Sequence, residues 1–317
     1  MKTKNIITII CIFASMMFAS CSSENDVLSG MGNTNVPTEN GVLATVSCNI
    51  KGITTKVMAD VENDYVVKDA ILLLSKGGSI LSAARMDNVL YTKNQTGLQI
   101  IAVANADEAT YQALEKLTKV EDIEKQALAV ADLKHLVKIS KPVDVKFDND
   151  KATQAHVDIK VEQVAARIDL SKLSVNIKAA DSESVLLESV ELYNQNTVGI
   201  LNGNPTSQSG AYTRETITIN QSINNGSSIS DVCHFYSFAN NNDENKTTIR
   251  LNLVIDGKAQ PREFTIKHDK IEKVVAGYNY QLNISLIVKG ENVEPEVTFT
   301  VAAWETSHLS GDLTETL

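Results

Sequence analysis

The sequence predicts a mainly β protein, built as two tandem antiparallel β-sandwich domains with a short helical insert in the first. Three observations predict it. The chain has 317 residues, more than one sandwich needs and about what two fill at roughly 100–200 residues per domain. An apolar content of 43% supports real cores, and a charged content of 21% is too low for a largely disordered chain. Apolar residues recur mostly at every second position, the spacing that turns one face of a strand inward, and Gly, Asn, Asp and Pro stand at the breaks.

The chain opens with an address. Lys2 and Lys4 precede an apolar run from Ile6 to Met17 and then Phe18-Ala-Ser-Cys21, the layout of a secretory signal over residues 1–20. The run is shorter than the about 20 apolar residues of a membrane-spanning helix. Its position against a cysteine resembles the bacterial lipoprotein signal, which implies lipidation of Cys21 after cleavage; Phe18 stands where such signals prefer Leu. Residues 22–41 are rich in Ser, Gly, Asn, Thr and Pro and read as a tether. Its start, Ser-Ser-Glu-Asn-Asp, resembles a surface-export signal. Loss of the signal leaves Cys48 and Cys233 beside Cys21, and these two read as buried free thiols.

From residue 42 the period is two: Val42, Ala44, Val46, Cys48 and Ile50 share the inward face of a half-buried strand. Strands follow at 65–75, ending in a Gly77-Gly78 turn, and at 98–105, where the apolar density implies burial on both faces. Asp107 can cap a helix carrying Tyr111, Leu114 and Leu117, and Thr118 with Glu121 three residues on offers a second cap, so two short helices are expected. A turn at Asp148-Asn-Asp150 leads to a strand at 156–161, and the boundary between the two sandwiches is expected near residue 162.

An alternating run from 164 to 177 contains Arg167 among apolar neighbours, either paired with a carboxylate at a domain border or snorkelling from the surface. A strand at 185–193 precedes a polar excursion over 202–230 with one strand at 215–219. Strands 247–255 and 258–267 form a hairpin about Asp256-Gly257, and Pro261 makes the second arm an edge. Tyr278 to Val288 is the clearest amphipathic strand, and Val297, Phe299, Val301 and Ala303 alternate before the single tryptophan, Trp304.

Acidic residues outnumber basic ones 39 to 29, which disfavours a nucleic-acid partner. Five histidines and four cysteines are scattered without metal spacing, and no phosphate loop or nucleophile elbow occurs. No catalytic residue, metal or cofactor is therefore expected. Cys233 and His234 are neighbours on a strand and point to opposite faces.

Six features in order resemble the fimbrillins, the type V pilins, over nearly the whole chain. They are the lipoprotein signal, Ala44-Thr-Val-Ser47, Leu98-Gln-Ile-Ile-Ala-Val-Ala-Asn105, Val164-Ala-Ala-Arg-Ile-Asp-Leu170, Gly277-Tyr-Asn-Tyr-Gln-Leu-Asn-Ile284 and Thr300-Val-Ala-Ala-Trp304. The resemblance implies transthyretin-like Greek-key sandwiches at 57–162 and 163–317, behind a removable propeptide at 21–56. It also implies a trypsin-like maturation protease cutting between Lys56 and Val57, where Lys replaces the family's usual Arg; Lys51 is a second basic position. The cut would remove the strand bearing Val42, Ala44, Val46, Cys48 and Ile50 and open a groove. The implied filler is a donor strand from another subunit, at 297–317 with Val297, Phe299, Val301 and Trp304.

The reading is thus a pilus shaft subunit supporting adhesion, whose partners are its own copies, other fimbrial subunits, the protease and the outer membrane through the lipid on Cys21. The alternatives are a fimbrial anchor or tip subunit, or a monomeric surface lipoprotein that binds a ligand.

Overall fold

The computed structural model describes residues 42–52, 66–86, 89–178, 184–206, 212–289 and 292–303. In the first half these form β1 (Leu43–Gly52), β2 (Ala70–Lys76), β3 (Ser79–Arg85), β4 (Leu90–Lys93) and β5 (Leu98–Ala104). Three short helices follow, α1 (Glu108–Leu114), α2 (Val120–Ile123) and α3 (Val130–His135), with β6 (Ala127–Leu128) between the last two. The half closes with β7 (Lys138–Ser140), β8 (Val143–Asp144) and β9 (Gln154–Gln163). Eight strands form one sheet in the order β3-β2-β5-β7-β9-β1-β4, with β8 beside β5. Its two ends, β3 and β4, approach each other, so the sheet curls around its own core.

That core holds Val46, Leu72, Leu74, Leu90, Leu98, Ile100, Val157 and Ile159. The opposite faces of β2 and β5 bury Ile71, Leu73, Ile101 and Val103 against Tyr111, Leu114 and Leu133 of the helices. These two strands are therefore apolar on both sides, as the apolar density of 98–105 implies for β5. β2 begins at Ala70 rather than at 65. The side chain of Asn105 takes the backbone there, accepting from Lys68 N–H at 2.8 Å and donating to Val66 C=O at 2.7 Å.

Asp107 caps α1 through a bond from Ala109 N–H. The α2 cap is Lys119, not Thr118. Thr118 instead accepts from Ile80 N–H at 2.9 Å, and Val120 N–H donates to Gly78 at 2.9 Å, so the chain runs along the β2–β3 turn before it coils. A third helix, α3, stands in a stretch to which the sequence assigns no element; its buried Asp132 accepts from Asp107 N–H, Thr110 Oγ1 and Ala129 N–H.

The second half contains β10 (Ala166–Ile177), β11 (Ser184–Asn196), β12 (Gly199–Ile200), β13 (Tyr212–Asn224), β14 (Ser228–Ser237) and β15 (Thr248–Ile255). β16 (Lys258–Ala259), β17 (Arg262–Thr265), β18 (Tyr278–Lys289) and β19 (Asn292–Ala303) complete it. A sheet ordered β14-β10-β18-β19 shares one core with a sheet ordered β13-β11-β15-β16, with β17 also on β15. Asp256 and Gly257, at φ 52° and 75°, make the turn after β15, and the arm beyond it breaks into β16 and β17 around Pro261.

Two expectations need correction and one open alternative is settled. The sheets are mixed rather than antiparallel, because β1 pairs parallel with β9 and β10 parallel with β18. A parallel pair needs a long crossover, and in each half nearly all the other strands supply it. The polar excursion is mostly strand: β13 runs 13 residues where five were expected. It is a sheet edge that turns few residues inward, Ile217, Ile219 and Ile223 among them, so its apolar signal is thin. Of the two readings of Arg167 the carboxylate pair holds: at 2% exposure its Nε donates to Asp169 Oδ1 at 2.6 Å, two residues along the same strand.

The halves are knitted together beside residue 162. β12 pairs with β6, and Leu201 and Phe238 join the helical core of the first half. Gly199 is required there, since a Cβ would stand 2.7 Å from the Phe238 ring.

Candidate assembly site: the first and last strands

β1 is an interior strand. Eight of its residues, Thr45 to Gly52, run parallel to Gln154–Val161 of β9, and four, Leu43 to Val46, run antiparallel to β4. Among the described residues β1 is the one strand that β4 pairs with. Ala44 and Val46 are buried at 3% and 1% exposure, and Cys48 and Ile50 pack half-buried against the same core. Val42 does not belong with them: it lies before the strand and is 41% exposed. Period-two spacing carries a side chain inward only while the chain is held in the ladder, and the ladder starts at Leu43.

The outer face of β1 is polar and bonded to β9. Ser47 Oγ lies 3.1 Å from His156 Nδ1, and Asn49 Nδ2 donates to Asp158 Oδ1 at 2.9 Å. Lys51 lies inside the ladder, in register with Lys160. Cys21, Lys56, Val57 and Trp304 lie outside the described residues. Burial pushes the Cys48 thiol up to about 11, and burial with the nearby Asp169 carboxylate pushes Cys233 up to about 12. Both remain thiols, and the two are free.

β19 contrasts with β1. It pairs antiparallel with β18 over 12 positions, from Tyr278↔Ala303 to Lys289↔Asn292, and forms the edge of its sheet. Val297 and Phe299 stand opposite Ile284 and Leu282, and the half-buried Val301 packs on the core. Pro295 falls within the strand, opposite Leu286; lacking an N–H, proline suits an edge. The segment expected as a donor is thus seated, as far as Ala303, on its own chain.

Two parts of this site escaped the sequence reading: β4 and Asn94 just after it. The signal was the short β-forming run Val89-Leu-Tyr-Thr92, four residues too brief for a period to register. Asn94 Nδ2 donates to Asn149 C=O and Ala152 C=O, both at 2.8 Å, while its N–H donates to Val42 C=O at 2.8 Å. It fastens the end of β4 to the turn before β9. Among the described residues no group of three His, Cys, Asp or Glu could hold a metal ion.

The architecture has known counterparts. It superposes on a candidate cell-adhesion protein from Parabacteroides distasonis with a TM-score of 0.61 at 16% identity, covering 83% of this chain and 97% of that one. A fimbrilin from Porphyromonas gingivalis W83 gives 0.56 at 12% identity, covering 82% and 97%. The tip fimbrial protein Mfa3 from Porphyromonas gingivalis, solved with a C-terminal truncation, gives 0.54 at 14%, covering 83% and 100%. No family model and no curated protein sequence matches the chain. The structural neighbours are fimbrial and cell-adhesion proteins, and this chain shares their fold.

Proposed function

We propose that this protein is a shaft subunit of a surface fimbrium, which polymerises by strand exchange after its first strand is cut away. The observation that carries the proposal is the place of β1. It is interior, it is the one ladder partner of β4 among the described residues, and its loss would strip Ala44 and Val46 from the core while leaving β9 and β4 with open backbone edges. Burying Val46 alone is worth about 1.5–3 kcal/mol, and two facing edges demand a replacement strand.

In this reading residues 1–20 are a lipoprotein signal, Cys21 carries the lipid to the outer membrane, and residues 21–56 leave when a trypsin-like protease cuts between Lys56 and Val57. Sandwiches at 57–162 and 163–317, of the transthyretin-like Greek-key type, form the mature subunit on the cell surface. The filler comes from the C-terminal segment of another copy or of another fimbrial subunit: Val297, Phe299, Val301 and Trp304 enter the groove. The protein is a structural element in adhesion and not an enzyme.

The Porphyromonas tip protein keeps a tip role in view, since its likeness is close to that of the fimbrilin. One experiment separates the readings. The precursor is treated with trypsin, and oligomers are followed on a denaturing gel without heating. Cleavage after Lys56 should yield long ladders, and deletion of the residues after Trp304 should abolish them while leaving a cooperative melt. Ladders from the truncated protein would remove the C-terminal donor mechanism.

A further inference from the structure

We propose that β4 is a gate: once β1 is released, it swings about Asn94 onto β9 and closes the first half of the vacated groove. The inference rests on the reading that β1 is removable. Three observations support it.

The first is register. Thr45 of β1 pairs with Tyr91 on one side and Gln154 on the other, and Val46 pairs with Leu90 and Ala155. Because β4 is antiparallel to β1 and β1 is parallel to β9, β4 already runs antiparallel to β9. It can form a ladder there without reversing. The second is facing. Leu90 and Ala155 are both buried toward the same core, and Tyr91 and Gln154 are both exposed on the outer face. A sideways move of one strand spacing, about 4.8 Å, therefore brings β4 beside β9 with every side chain on its proper face.

The third is the hinge. Asn94 already bonds to the backbone at Asn149 and Ala152, in the turn that feeds β9, so the far end of β4 is fixed there while β1 wedges the rest apart. With β1 gone, β4 has lost its ladder partner and β9 has gained an open edge at its side.

The gate is short, at four residues against the eight that β1 pairs with β9. It covers the stretch near Gln154 and Ala155 and leaves the stretch from Val157 to Val161 open, opposite the former Cys48–Gly52 end. An incoming strand would dock there first and displace β4 second. Half-closure of this kind would hold a cut subunit in solution without an extended free edge.

Engineered cysteines read the movement. In the intact protein residues 91 and 154 are two strand spacings apart, about 9.5 Å, beyond the roughly 7 Å that a disulfide can span. As direct neighbours they fall to about 5 Å. Full-length protein carrying Tyr91→Cys and Gln154→Cys is oxidised before and after limited trypsin treatment, and the products are mapped by mass. Cys48 leaves with β1, and the Cys233 thiol, pushed up to about 12, stays protonated.

The 91–154 link should form in most molecules that have lost the fragment ending at Lys56 and in few intact ones, and Asn94→Ala should lower its yield several-fold. Equal linking before cleavage, or loss of the fragment without linking, would overturn the gate and leave strand exchange untouched. A fragment that is cut but stays bound would contradict the removable strand, and the gate with it.

Discussion

β1 and β10 occupy corresponding places, each flanked by a parallel and an antiparallel partner, yet they are held very differently. β1 lies between β9 and β4, and β10 between β18 and β14. β10 buries Ile168, Leu170, Leu173, Val175 and Ile177, each worth about 1.5–3 kcal/mol. It also carries the buried Arg167–Asp169 pair, and its antiparallel partner β14 reaches along most of its length. Among its described side chains β1 buries only Ala44 and Val46 fully, and its antiparallel partner matches four residues. Topology gives both strands the same kinds of neighbour, and side chains decide which one is held more firmly.

The comparison can be broken first at the buried ion pair. Asp169→Ala leaves a guanidinium at 2% exposure without its carboxylate, a loss of roughly 3–5 kcal/mol. Thermal melts should show the β10 sheet failing, and a near-native melt would mean that the pair does not anchor β10. In the first half, Val46→Ala should cost about 2 kcal/mol in the precursor, through lost burial and the cavity left behind. The matching change Val301→Ala, on a half-buried edge, should cost less.

Acid should separate the halves as well. Burial holds the His268 pKa below its ordinary 6.5 in the folded protein, and its Nδ1 lies 3.1 Å from the Tyr280 hydroxyl in the β18 core. The unfolded chain then binds more protons in the interval beneath 6.5, so this stability is full above 6.5 and lost as pH falls through the interval. Protection factors at β18, exchange corrected for its intrinsic pH dependence, should fall with acid ahead of those at β9, and His268→Gln should remove the difference. The smallest effects belong to the outer face of β1, where Ser47→Ala and Asn49→Ala should each cost about 0.5 kcal/mol in denaturant melts.

How far the residues alone reach follows the same division. β18 is readable because its period runs long and uninterrupted, and β5 because its apolar residues are dense enough to mark burial on both faces. β13 and β4 are not, one because an edge strand needs little apolar pattern and the other because four residues are too few. Parallel pairing of β1 with β9 joins residues more than a hundred positions apart and leaves no local trace. At the candidate assembly site Ala44 and Val46 follow from alternation, whereas the pairing of β4 with β1 and the Asn94 bridge arise only from tertiary contact.

The central claim is that β1 is the strand the working protein discards. N-terminal sequencing of subunits taken from assembled surface fibres tests it most directly. The account predicts a start at Val57, with every residue of β1 gone. A start at Cys21, with the lipid and β1 retained throughout the fibre, would contradict it.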